Sequence, residues 1–274
     1  MMLTFVLLGG CAARNLAPPL HGAAERGFLR VVLEGNPFTF AGQLKKPIAD
    51  VDELVVYLEG DGHVKTRSGG ISRDPTPRFP VGWLLARQDP APAVLYLGRV
   101  GQHNSDFARP EYREYWAEKR FAPEVAYGMG LALDQAKKQT GATRLHLVGF
   151  SGGGAIAVLL AGQRQDVDSL VTVAGLLDHA FWTGRNGYQP LTGSLNPADV
   201  AGKVNALPQV HFFGTHDALI PAEISKRFFD LAAFENASRV SVPSGHNKGW
   251  EKAWPALLEQ YIEPLRGGLP ASTN

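Results

Sequence analysis

The stretch "LHLVGFSGGGAIAVLLAG", residues 145–162, sets one serine among glycines at the seam between two apolar runs of different texture. Before Ser151 the run Leu145, His146, Leu147, Val148 is short and apolar, as in a strand buried within a parallel sheet. After it, Ala155, Ile156, Val158, Leu159, Leu160 and Ala161 suit a buried helix of about three turns. Gly149-Phe150-Ser151-Gly152-Gly153 fits G-x-S-x-G, in which a serine on a sharp strand-to-helix turn lifts its hydroxyl above the sheet. The pentapeptide alone also suits a glycine-rich helix start, so the strand before it and the helix after it carry the reading.

Working outward, further short apolar runs occur at 53–60, 93–99, 169–175, 209–215 and 239–245, several of them ending in glycine. Helix-like segments at 123–139, 153–163 and 222–234 lie between them. This alternation predicts a mostly parallel sheet with helices on both faces. Upstream, "FLRVVLEG" and "FTFAGQL" predict a hairpin around Asn36-Pro37. Near the C-terminus Trp250, Ala253, Trp254, Leu257, Leu258, Tyr261 and Ile262 follow helical spacing, and Pro255 predicts a regular helix starting near Trp254 or Pro255. Residues 176–208 hold scattered Pro, Gly and Asn without a long amphipathic helix, which predicts no large cap domain. Their "FWTGRNGY" is expected to form an aromatic wall over the site.

The 274 residues suffice for one large core, and Lys plus Arg number 27 against 26 Asp plus Glu. That balance gives no basic field for nucleic acid and points to a small-molecule partner. Three segments are expected: 1–27 as signal and tether, 28–267 as the domain, and 268–274 as a tail. The apolar run Leu3–Leu8 leads into Leu8-Gly9-Gly10-Cys11, which resembles a lipoprotein lipobox, and Cys11 is the only cysteine. Lipidation of Cys11 would attach the protein to a membrane of the bacterial cell envelope, facing the periplasm. No positive charge precedes Arg14, so an apolar stub on a cytoplasmic protein is the alternative.

A serine needs a general base, and the base needs an acid to orient it. In parallel α/β sheets such groups sit past the carboxyl ends of the strands. "FFGTHDALIP" puts Asp217 there and "VPSGHNKGW" puts His246 there, in the chain order nucleophile, acid, base. His216 is a rival base, and Asp217 also has the bland reading of a helix cap. The oxyanion donors are expected to be the N–H of Gly152 and that of Asp61 in "YLEGDGHV", with Gly62 as the alternate. The Asp61 carboxylate should turn away from the oxyanion and bond within its own loop. Gly62, Arg99, His103 and Asn104 are candidate substrate contacts. Neither a zinc motif nor a dinucleotide fingerprint appears, so no metal and no cofactor are expected.

These residues resemble the α/β-hydrolase superfamily of serine esterases, lipases and related enzymes, from about residue 28 to the end. Within it, "YLGRVGQHNSDF", "YREYWAEKRFAPEV", "GFSGGGAIA", "GSLNPAD" and "WPALLEQY" look like a group of poorly characterised bacterial exported hydrolases, lipoproteins among them. The resemblance implies a carboxylesterase-like serine hydrolase on an α/β-hydrolase fold, acting on a small acyl substrate through an acyl-enzyme. A peptidase or amidase using the same three residues is the nearest alternative. A non-catalytic binding protein on the same fold is a further one.

Overall fold

The structure is a computed structural model that describes residues 20, 22–103 and 110–267. Cys11, Asn104 and the tail 268–274 lie outside the described residues. Among those described, the strands are β1 (Phe28–Glu34), β2 (Thr39–Lys45), β3 (Glu53–Leu58), β4 (Val94–Leu97), β5 (Arg144–Phe150), β6 (Val167–Val173), β7 (Gln209–Gly214) and β8 (Ala237–Val242). They form one sheet in the order β1-β2-β4-β3-β5-β6-β7-β8. The β1-β2 hairpin is antiparallel and β2 runs antiparallel to β4; every other pairing is parallel.

Alternation along the central strands divides the core into two layers. Leu54, Val56, Leu58, Leu145 and Leu147 face one layer, where α2 (Pro123–Thr140), α3 (Gly152–Ala161) and α5 (Ala222–Asp230) pack. Val55, Tyr57, Val148, Phe150, Val171 and Phe212 face the other, under α1 (Val81–Ala86) and α6 (Trp250–Leu257). Helices thus cover both faces, as the alternation predicts. The segment expected to lack a large cap contributes only the short α4 (His179–Asn186) and a 3-10 turn at Pro197–Lys203. No helix among the described residues is long and apolar enough to cross a membrane.

The last helix departs from expectation, since it starts at Trp250 and carries Pro255 inside. Proline removes one backbone donor there, but its fixed φ is helical. Burial of Trp250 and Trp254 offsets that loss, and the chain runs on through a π-helical turn at Leu258–Ile262. The start matters for the site because the Trp250 indole donates to the carbonyl of His246 at 2.9 Å.

From β3 the chain steps to β4 on one side and then crosses to β5 on the other, so the strand order reverses at the seam between β3 and β5. A crevice opens at such a reversal, beyond the carboxyl ends of the strands. The loop after β3 and the turn after β5 therefore meet side by side, with Leu58 paired to Gly149 at the strand ends.

Candidate active site

Ser151 occupies the turn between β5 and α3 with φ 53° and ψ −119°, a region that side-chain-bearing residues rarely adopt. The surroundings hold it there: its N–H donates to Val173 O at 2.9 Å, and its carbonyl accepts from Gly154 and Leu176. The turn is so tight that a Cβ on Gly153 would lie 2.2 Å from Leu58 O. Only glycine lets α3 start this close to β3.

Above the turn, His246 Nε2 lies 3.0 Å from Ser151 Oγ, and His246 Nδ1 lies 2.8 Å from Asp217 Oδ2. The imidazole also packs at a tilt against Phe150, ring centroids 5.2 Å apart. The other carboxylate oxygen of Asp217 accepts the N–H groups of Leu219 and Ile220, each at 2.9 Å. Asp217 is buried and α5 begins beyond it, at Ala222, so it does not cap that helix. His216 points to solvent and makes no bond to Asp217. The structure thus brings Ser151, His246 and Asp217 into one hydrogen-bonded line, in which His246 can take a proton from Ser151 while Asp217 fixes the ring's tautomer.

The loop after β3 lies on the elbow. A Cβ on Gly60 would come within 3.3 Å of Ser151 Cβ, and one on Gly152 would fall 1.9 Å from Asp61 Oδ1. The backbone N–H groups of Asp61, Gly62 and Gly152 have no acceptor among the described residues, so none of the three expected donors is taken up by the fold. The Asp61 side chain departs from expectation. Instead of bonding within its own loop, it is bound by two arginines, Arg120 Nη1 to Oδ2 at 2.7 Å and Arg99 Nη1 to Oδ1 at 3.3 Å. Sequence spacing gives no sign of this, because Arg120 arrives from a separate segment just before α2.

Two candidate substrate contacts are corrected. Arg99 and His103 are buried behind the wall of the crevice and do not line it. Arg99 is drawn inward by Asp61 and by the carbonyl of Arg120, and burial lowers it to about 10, still charged at neutral pH. His103 sits 2.7 Å from the Tyr96 hydroxyl, and burial pulls its imidazole down to about 4, so it is neutral. Gly62 does line the cavity. So do residues that the sequence reading did not single out: His63, Arg120, Leu176, Leu219 and Ile220. The cavity is about 720 Å³, and Trp182 and Tyr188, in edge contact with each other, line it as the aromatic wall expected from "FWTGRNGY". Trp182 is pinned by its indole N–H, which donates to Leu219 O at 2.8 Å.

Beneath the loop, Glu59 is buried, with Oε1 accepting the N–H groups of Gly60 and Gly82 and Oε2 accepting the Tyr96 hydroxyl. Burial pushes its carboxyl from the ordinary 4.5 up to about 7. Between those values the unfolded chain has released the proton and the folded chain still holds it. Stability therefore falls as pH rises from about 4.5 to about 7 and is level above. In Glu59→Gln the amide oxygen can keep two of the three backbone donors, Gly60, Gly82 and Trp83, while its NH2 faces Tyr96. That variant should lack this loss, gaining up to about 3 kcal/mol over the parent between pH 5 and pH 8. Urea denaturation at both pH values checks it, and parallel pH profiles for the two proteins would contradict it.

Among the described residues, one group has metal-ligand chemistry: Glu53, His146 and Asp168, with ligand atoms within 4.8 Å of one another. It lies at the opposite end of the sheet from Ser151. Arg144 bridges its two carboxylates at 2.7 and 3.0 Å, which makes it an ion-pair network at the start of β3, β5 and β6.

No protein-family model matches the chain, and no curated protein sequence matches it. Solved structures do match in fold. The esterase Pf2001 of Pyrococcus furiosus superposes with a TM-score of 0.62 at 12% identity, covering 88% of this chain and 92% of the esterase. Est1E from Butyrivibrio proteoclasticus gives 0.59 at 14% identity, covering 87% and 99%. The acylaminoacyl peptidase of Pyrococcus horikoshii gives 0.62 at 13% identity over 87% of this chain, which corresponds to 42% of the peptidase. The chain has the α/β-hydrolase fold. Its structural neighbours are esterases and peptidases, and at these identities the likeness speaks for the fold alone.

Proposed function

We propose that this protein is a serine hydrolase of acyl esters. The observation that carries the reading is the hydrogen-bonded line from Ser151 through His246 to Asp217 on a strained turn, facing a cavity of about 720 Å³. His246 takes the proton of Ser151 as Oγ attacks the ester carbonyl. Asp217 holds the ring in the tautomer that leaves Nε2 bare and stabilises the imidazolium that forms. The tetrahedral oxyanion accepts the N–H groups of Gly152 and Asp61. His246 then returns the proton to the departing alkoxide, and water, activated by the same imidazole, releases the acyl group from Ser151. The N–H of Gly62 is the alternate donor.

A fluorophosphonate probe should label Ser151 and no other residue, as read by peptide mass spectrometry, with competition from short-chain esters. Peptide amides cleaved faster than matched esters would move the reading to a peptidase. An unlabelled Ser151, with no turnover across a panel of esters and amides, would leave a binding protein on this fold.

Attachment to the bacterial envelope through a lipidated Cys11 belongs to the same proposal. Cys11→Ser should move the protein from the membrane fraction to the soluble fraction of bacterial cells. Parent protein found wholly in the cytosol, with its N-terminal methionine intact, would contradict it.

A further inference from the structure

Two guanidinium groups, Arg99 and Arg120, share the single carboxylate of Asp61, and all three side chains are at most 17% exposed. Arg99 sits behind the wall, with one arm on Asp61 and another on the carbonyl of Arg120, and its Nε is buried without a partner among the described residues. Arg120, unlike Arg99, lines the cavity. Its Nε donates to Ala117 O and its Nη1 to Asp61 Oδ2, while Nη2 has no acceptor among the described residues. A guanidinium presents its donors in a fixed planar fork, so holding Nε and Nη1 also fixes the direction of Nη2. Because Asp61 Oδ1 rests against Gly152, this fork stands next to the elbow. The two like-charged guanidiniums repel each other at one carboxylate; Glu59 beneath the loop adds attraction to Arg99, and an anion in the cavity would compensate Arg120. Lys65 and Arg78, exposed on the loop after β3, add positive charge to the same cavity, against the exposed Glu118 and the buried Glu59.

Resting on the esterase reading, we propose that Arg120 is a specificity-determining residue that binds a carboxylate on the acyl portion of the substrate. The preferred substrates are then half-esters of short dicarboxylic acids. Their free carboxylate meets Arg120 Nη2 while the ester carbonyl lies over Ser151, and the alcohol portion extends toward Leu219 and Trp182. The extra anion compensates Arg120, which otherwise shares Asp61 with Arg99.

The test uses the intact protein and two ester series followed by pH-stat titration. One series is the ethyl half-esters of succinic, glutaric and adipic acids. The other is the same esters with the terminal carboxylate replaced by a carboxamide, which keeps the shape and removes the charge. For at least one chain length, the parent protein should favour the carboxylate in kcat/KM by roughly tenfold to a hundredfold, the range of a charged hydrogen bond. The preference should lie mainly in KM, because the carboxylate stays bound from ground state to transition state. It should shrink in high salt, collapse to about one in Arg120→Gln, and survive in part in Arg120→Lys. These are ratios within one protein, so a general loss of activity in a variant does not mimic them. A ratio of one or less in the parent at every length, or an unchanged ratio in Arg120→Gln, overturns the anchor and leaves the esterase reading intact. Calorimetric titration with glutaramate separates the remaining case. Binding that needs Arg120, with no ester turned over, sinks the esterase reading and keeps the anchor, whereas neither binding nor preference sinks the anchor.

Discussion

Ser151→Ala should lower kcat for ester hydrolysis roughly a millionfold, the loss seen when one member of a cooperating nucleophile-base pair is removed. The serine oxygen forms the covalent bond, and no other hydroxyl is held within hydrogen-bond reach of His246 Nε2 among the described residues. What survives is the work of the oxyanion donors and of substrate binding. His246→Ala should be comparably severe, and the double variant scarcely worse than either single one, because each half is idle without the other. Asp217→Asn should cost about ten-thousandfold, since the amide can donate to Nδ1 and so favour the wrong tautomer. His216→Ala is the control: the side chain is solvent-facing, and kcat should stay within about tenfold. Titration of active sites with a fluorophosphonate separates lost chemistry from lost protein. A folded Ser151→Ala protein with near-parental turnover would end the hydrolase reading, and a crippled His216→Ala would transfer the base to that residue.

The sheet was legible because each central strand is written as a short apolar run, and its ends carry the residues that the site uses. Thus Arg144–Phe150 runs into Ser151, Gln209–Gly214 ends three residues before Asp217, and Ala237–Val242 ends four before His246. A parallel sheet delivers all its carboxyl ends to one rim, so chain order alone places such groups together. Side-chain direction is not written in that way. Arg99 and His103 both follow β4, yet they turn inward because their partners, Asp61 and Tyr96, come from the loop after β3 and from β4 itself. Arg120 was missed for the same reason. It belongs to no periodic element, and its role depends on a carboxylate far away in sequence. Pro255 misled in another way, since a local helix-breaking preference gave way to the burial of two tryptophans.

At Asp61 the backbone and the side chain carry different work, and two substitutions should separate them. A carboxylate free within its own loop would make Asp61→Ala mild. Its two arginine partners predict the opposite, because removal leaves the buried Arg99 and the neighbouring Arg120 without their shared counter-ion. Leaving a buried charge uncompensated costs about 3–5 kcal/mol, or roughly 10 °C in Tm for a domain of this size. Asp61→Asn, which keeps one acceptor and the loop's shape, should lose less stability and hold kcat within about tenfold, since the backbone N–H remains. Asp61→Pro deletes that N–H as well as the carboxylate. If the N–H is the second oxyanion donor, kcat in the proline variant should fall a further hundredfold to thousandfold below Asp61→Ala. Circular dichroism must first show that both variants are folded at the assay temperature, and the comparison belongs at a temperature well below the lower Tm. The alanine variant supplies the reference for the lost ion pairs, so the difference between the two reports the donor. If folded Asp61→Pro and Asp61→Ala proteins share one kcat, the second donor is the N–H of Gly62, whose φ of 71° and lack of room for a Cβ beside Pro75 O already fix the direction of its peptide.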